Sequence, residues 1–414
     1  MRRFGFKETL AAALMLLSLA ACERENPATT REYREVIIYC GMGYNNLSSN
    51  IRSNLEQLKE GNLPYDTADK AIVAFCHNTA PGGGYTTDNP PVLLQFCNRG
   101  GQNVIDTLRI YPADTKSATA ESLTAALFDI RGLFPAKRYG MIFSSHSTGW
   151  TPCGYKAAEE GEFAFSATQE REAEEFPLTK AFGSQFVGSY ERNMEIDLTD
   201  FAAAIPMKLE YIIFDSCLMG GVEVAWELKN VCDRIVFSPT EVIAEGFIYK
   251  PMPWHLLAGR NPDLKSICED FFNYYDSQSG NSRSATVTLL DCRGLDRLAE
   301  VFSGIVASHR EGFDNIDRGK VQPYFYGAGS STKDWFYDIR DAAREAGADS
   351  GELSMLDKAL DGCIEYHEET ESFFKTPLER CCGLSSYLPS PSRPRLTAYY
   401  KGLSWNRAVG LVAE

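Results

Sequence analysis

The chain has 414 residues, 44% hydrophobic and 23% charged, the balance of a folded globular protein long enough for two or three domains. Its 56 acidic and 41 basic residues give a formal charge of −15, which argues against nucleic acid as a partner, because phosphate binding depends on Lys and Arg displacing counterions. An acidic surface of this size attracts cationic ligands only modestly, since salt screens most of the field.

The first residues differ from the rest. Met1 to Lys7 is basic and Leu10 to Ala21 is apolar apart from Ser18, the pattern of an export signal. The apolar part is too short to span a bilayer comfortably as a permanent helix. It ends in Leu19-Ala20-Ala21-Cys22, which resembles the bacterial lipoprotein signal, where the Cys becomes the lipidated first residue. A plain secretory signal cut after a small residue is the competing reading. Residues 1–21 are expected to be the signal and 22–34 a lipidated polar linker, leaving the chain tethered in the cell envelope, on the periplasmic side or the cell surface. Loss of Arg2, Arg3, Lys7 and Glu8 with the signal moves the formal charge from −15 to −17.

From Val36 onward, strand and helix alternate. Strands are predicted at Val36 to Cys40, Ala71 to Cys76, Val92 to Cys97 and Val104 to Ile110, with a helix from Leu47 to Lys59 after the first. Pro81 to Tyr85 and Asn98 to Gly101 supply turns. A helix follows at Ala120 to Leu133, where Leu123, Ala126, Leu127 and Ile130 share a face and Pro135 stops it. Thr151 to Glu195 is polar, rich in Glu, Gly and Ser, and reads as a long excursion. A short helix at Leu198 to Ala204, a helix at Gly220 to Lys229 and a strand at Arg234 to Ser238 complete an α/β pattern with a largely parallel sheet over residues 35–262. Residues 263–414 read as a smaller α+β domain. Its helices are expected at Leu264 to Tyr275, Leu295 to His309, Phe336 to Ala346 and Leu353 to Thr370, with strands at Ala285 to Asp291 and Leu384 to Leu388.

Two further strands carry the chemistry. Tyr139-Gly-Met-Ile-Phe-Ser-Ser-His146 and Tyr211-Ile-Ile-Phe-Asp215-Ser216-Cys217 are apolar runs that stop at a reactive side chain. A parallel sheet covered on both faces requires such runs. Its ligand crevice lies outside the carboxyl ends of the strands. His146 and Cys217 are therefore expected to meet at one sheet edge as a base and a nucleophile.

Other candidates read as structure. Of twelve cysteines, Cys40, Cys76 and Cys97 end apolar runs and suit small buried hydrophobes. No Cys-x-x-Cys pair suggests a zinc ribbon or a redox dithiol. His77 also ends an apolar run and is the rival base, but it lacks the Gly149-Trp150 context that follows His146. His255, His309 and His367 have no Cys or acid at metal spacing. No cofactor is implied; the acidic loops leave calcium open as a ligand, without an EF-hand-like spacing to support it.

The two reactive strands resemble those of the clostripain-like cysteine peptidases, which share the caspase and gingipain fold. The residues that carry the likeness are His146 with Gly149-Trp150 behind it and Asp215-Ser216-Cys217-Leu218-Met219. Asn45-Asn46-Leu47-Ser48, Phe134 to Tyr139 and Gly383 to Pro389 also fit. The resemblance implies a caspase-like sandwich, with Cys217 as nucleophile and His146 assisting proton transfer to the leaving amine. The oxyanion donors would be the backbone amides of Cys217 and Ser147, although Ser147 stands where the family usually has Gly. Asp215 would form the floor of a pocket for Arg or Lys, with Asn45, Ser238 and Thr240 lining the cleft. Self-cleavage between His146 and Cys217 is implied as well, with Lys156, Arg171 and Lys180 as basic sites. The implied partners are peptides or proteins with basic residues and, through Cys22, a membrane. A non-catalytic surface lipoprotein of the same fold, binding peptides or glycans, is the alternative.

Overall fold

The computed structural model describes residues 31–79, 89–155, 196–325 and 335–413. In chain order the first elements are β1 (Glu35–Gly43), α1 (Ser48–Glu60), β2 (Lys70–Asn78), β3 (Val92–Arg99), β4 (Gln102–Ile110), α2 (Ala120–Leu133), β5 (Tyr139–Ser144) and α3 (Leu198–Ala204). They are followed by β6 (Leu209–Asp215), α4 (Val222–Leu228), β7 (Cys232–Phe237), α5 (Met252–Leu257), α6 (Leu264–Asp276), β8 (Thr286–Asp291), α7 (Leu295–Ser308) and α8 (Arg310–Asp314). Then come β9 (Tyr337–Asp338), α9 (Ile339–Glu345), α10 (Ser350–Asp361), β10 (Ile364–Glu369), β11 (Ser372–Phe373), β12 (Thr376–Pro377), β13 (Ser385–Ser386), α11 (Pro394–Lys401) and α12 (Ser404–Val409).

Nine strands make one sheet in the order β10-β8-β7-β6-β5-β1-β2-β3-β4. The centre, from β2 through β1, β5 and β6 to β7, is parallel, and each flank is closed by antiparallel strands. Every residue of β1 is buried, as expected of a strand covered on both faces. Successive side chains alternate between those faces. Tyr39, Ser144 and Asp215 point to the side where the α1 face of Ile51, Leu55 and Leu58 and the Tyr249 ring pack. Phe143 and Phe214 point to the other side, against Phe201 of α3.

The helix predicted at Ala120 to Leu133 forms with those bounds, and its buried residues are the predicted Leu123, Ala126, Leu127 and Ile130. Thr119 caps it by accepting from the Ser122 amide. Three expectations in the last third are corrected. The helix expected to run to Thr370 stops at Asp361, and Ile364–Glu369 instead forms the edge strand β10 beside β8. Past Gly362 the helical spacing of Leu356, Ala359 and Leu360 gives way to Ile364 and Tyr366 alternating with Glu365, a period of two. The helix expected from Phe336 starts only at Ile339, because Asp338 caps it through the Asp341 amide and Tyr337–Asp338 pairs with β13. Of the strand expected at Leu384 to Leu388, only Ser385–Ser386 pairs.

The division expected between residues 262 and 263 falls between β7 and β8, which are neighbours in the one sheet. Cys22, Lys156, Arg171 and Lys180, and most of the polar excursion, lie outside the described residues.

Candidate active site

Ser144 pairs with Asp215 where β5 and β6 end side by side. His146 and Cys217 each follow by two residues, so they leave the sheet at equivalent heights from strands about 4.8 Å apart. The loops that carry them are joined directly. The Ser147 hydroxyl donates to the Cys217 carbonyl. Gly149 has φ +64°, and a Cβ there would come within 2.5 Å of the Leu218 carbonyl oxygen. Ser147 has no left-handed backbone, so the departure from Gly at this position costs no torsional strain.

The turn after Cys217 is held from the β7 side. The Leu218 amide donates to Thr240 (2.9 Å) and the Gly220 amide to Ser238 (2.8 Å). A Cβ at Gly220 would lie 2.3 Å from the Pro239 nitrogen, so no larger residue fits. Leu218 itself has φ +60°, a conformation that bulky residues avoid and that the surrounding contacts impose. Cys217 is buried, and its sulfur accepts the Val242 amide hydrogen at 3.0 Å. The thiol in turn donates to the Val242 carbonyl at 3.5 Å, so one residue's backbone meets the sulfur with both its donor and its acceptor.

The His146 ring is placed by the loop after β1. Its Nε2 meets Asn46 Oδ1 at 2.6 Å. Asn45, expected to line the cleft, instead shapes this loop: it donates to the Met42 carbonyl (3.1 Å) and accepts from the Leu47 amide (2.8 Å). The structure thus pairs His146 with the neighbouring Asn46, which sequence reasoning passed over.

Asp215 is fully buried. Its Oδ2 accepts from the Tyr249 hydroxyl (2.5 Å) and the Ser144 hydroxyl (2.9 Å). Burial, and after it the Asp215 charge, hold the Tyr249 phenol well above its ordinary value. Ser238 and Thr240 form a buried hydroxyl cluster with Thr286, at 2.8 Å from each to the Thr286 oxygen. They brace the strand ends behind the turn.

The C-terminal segment completes the support. The Ser385 amide donates to the Gly220 carbonyl (2.9 Å). Glu223 of α4, buried, accepts from the Tyr387 amide (2.9 Å), the Tyr400 hydroxyl (2.8 Å) and the Ser386 hydroxyl (3.2 Å). Burial pushes its carboxyl from 4.5 up to about 7. Trp150 packs edge-on against Tyr387 and Tyr400, so the Gly-Trp behind His146 is an anchor for the His loop. The sequence signal for Glu223 was an acid inside the apolar run Val222 to Trp226; Val242 acts through its backbone and left none.

The rival candidates are accounted for. His77 meets Ser117 Oγ (2.7 Å) and the Asn89 carbonyl (2.8 Å), stacks on Tyr44, and is held by burial down at about 4. His255, His309 and His367 sit 2.9, 2.6 and 2.9 Å from Asp270, Glu352 and Glu369. Cys40, Cys76 and Cys97 are buried, and burial pushes the Cys40 thiol up to about 12. Among the described residues no group of three or more His, Cys, Asp or Glu is arranged to hold a metal ion.

Known proteins give the arrangement a context. No curated protein sequence matches the chain. Among solved structures, an inactive zymogen C11 protease from Parabacteroides distasonis is 22% identical, with a TM-score of 0.71 over 92% of this chain and 99% of that chain. A secreted C11 cysteine protease from Bacteroides thetaiotaomicron is 24% identical, with a TM-score of 0.71 over 91% and 99%. A secreted C11 cysteine protease from the same organism, in complex with an irreversible peptide inhibitor, is 18% identical with a TM-score of 0.72 over 91% and 99%. These likenesses establish the caspase-like fold. The model of the clostripain family matches residues 40–311, more than half of the chain and the whole stretch that bears His146 and Cys217. The chain belongs to the clostripain family of cysteine peptidases.

Proposed function

We propose that this peptidase is exported, anchored through a lipid on Cys22, and cleaves peptide bonds after Arg or Lys with Cys217 and His146 as its dyad. The Cys217 sulfur attacks the scissile carbonyl, and the Cys217 and Ser147 amides receive the oxyanion. His146 gives a proton to the departing amine, leaving a thioester that water opens. Asp215 supplies the charge that selects a basic side chain. Self-cleavage at Lys156, Arg171 or Lys180 would follow from the same specificity.

The observation that supports this reading is the register of β5 against β6, whose last pair, Ser144 and Asp215, stands two residues before both His146 and Cys217. Hydrolysis of short fluorogenic peptides tests the specificity. Asp215→Asn is expected to lower kcat/KM on peptides ending in Arg or Lys by two orders of magnitude or more, on the order of the ~3 kcal/mol lost when a buried cation is left unpaired, and to leave non-basic peptides nearly unchanged. An unaltered basic preference in that variant would place the pocket acid elsewhere.

A further inference from the structure

Asp215 offers its carboxylate to a buried set of neutral donors. The Tyr249 hydroxyl lies at 2.5 Å and the Ser144 hydroxyl at 2.9 Å, both on Oδ2. All three side chains are fully buried. A carboxylate withdrawn from water needs hydrogen-bond donors, and hydroxyls meet that need without cancelling the charge. A cation can do both, since it donates hydrogen bonds and also neutralises the carboxylate.

Tyr249 is set for such an exchange. Its ring leans edge-on against Tyr39 at 5.7 Å, and the stretch leading to it is held where Gly246 accepts the Tyr275 hydroxyl at 2.9 Å. The same stretch begins at Val242, whose amide contacts the Cys217 sulfur. One segment therefore touches both the nucleophile and the acid.

We propose that Tyr249 is a specificity-determining residue: its hydroxyl holds the place on Asp215 that a substrate's ammonium or guanidinium group takes, so a basic side chain binds in exchange for it. This rests on Asp215 being the pocket acid. The tyrosine therefore limits affinity for basic side chains, which must break its hydrogen bond to Asp215, while a neutral side chain gains nothing from that exchange and leaves the bond in place.

The test compares two fluorogenic peptides identical except for Lys or norleucine at the cleavage position, cut by wild type, Tyr249→Phe, Tyr249→Leu and Asp215→Asn. The readout is the Lys-to-norleucine ratio of kcat/KM, which does not depend on how much of a preparation is folded. Loss of the competing hydroxyl is expected to raise that ratio about tenfold in Tyr249→Phe, through a lower KM for the Lys peptide. Tyr249→Leu is expected to move it in the same direction. A ratio that is unchanged or falls in both Tyr249 variants, while Asp215→Asn abolishes the Lys preference, would overturn the role of Tyr249 and leave Asp215 standing. A Lys preference that survives Asp215→Asn would instead remove the reading on which the proposal rests.

Discussion

His146 owes its orientation to a residue from a different strand end. Asn46 Oδ1 stands 2.6 Å from Nε2, and Asn45 fixes the loop from which Asn46 projects. An imidazole that must hand a proton to a leaving amine loses rate when its ring can swing, and proton transfer of this kind contributes roughly 10²- to 10⁴-fold. Asn46→Ala is expected to lower kcat by about tenfold or more with little change in KM, the pattern of a group that acts only in the transition state. Asn46→Asp should recover part of the rate and move the alkaline limb of the pH profile upward, because a carboxylate stabilises the protonated ring. A variant that loses stability but keeps kcat and its pH profile would show Asn46 to be structural only.

The turn after Cys217 depends on an element far away in the sequence. Glu223 in α4 and the Ser385–Tyr387 segment hold each other and the Gly220 carbonyl. Because the Glu223 carboxyl is raised from 4.5 to about 7, the native state keeps its proton over a range where the unfolded chain has lost it. Its contribution is thus full below pH 4.5 and is lost as pH rises toward 7. His77, held near 4 against an ordinary 6.5, acts in the opposite sense, so the two partly cancel in the wild type. Denaturant unfolding of wild type and Glu223→Gln separates them. Between about pH 5 and 8 the wild type should lose roughly 2–3 kcal/mol relative to the variant. Parallel stability curves would show that Glu223 is ionised throughout.

This coupling also shows why the sequence was only partly readable. The reactive strands, α2 and the buried cysteines follow from apolar runs and spacing, which are local. Ser385–Ser386 does not: its partners are β9 and the Gly220 turn, and a two-residue pairing leaves no period to read. β10 was hidden because Glu365 and Glu368 sit on an edge strand, where charge discourages further pairing and weakens the strand signal.

At the scale of the whole molecule, the sheet is the device that joins the site's parts. Five parallel strands bring the loops after β1, β5, β6 and β7 to one edge, and those loops bear Asn46, His146, Cys217 and Val242. The position of that edge was legible because two apolar runs stop just before His146 and Cys217. The support was not, because Val242 and Tyr249 act from a segment without a motif and Asn45 resembles its more consequential neighbour. An edge assembled this way makes one claim above the others, that Cys217 is the nucleophile. The direct measurement is turnover of a fluorogenic peptide ending in Arg or Lys, followed beside the intact mass of the protein, for wild type and Cys217→Ala. Wild type should hydrolyse the peptide, with the activity abolished by thiol alkylation, and Cys217→Ala should show neither turnover nor any change in its own mass. Hydrolysis that persists in Cys217→Ala, or a wild type that cuts no peptide of any kind, would contradict the account.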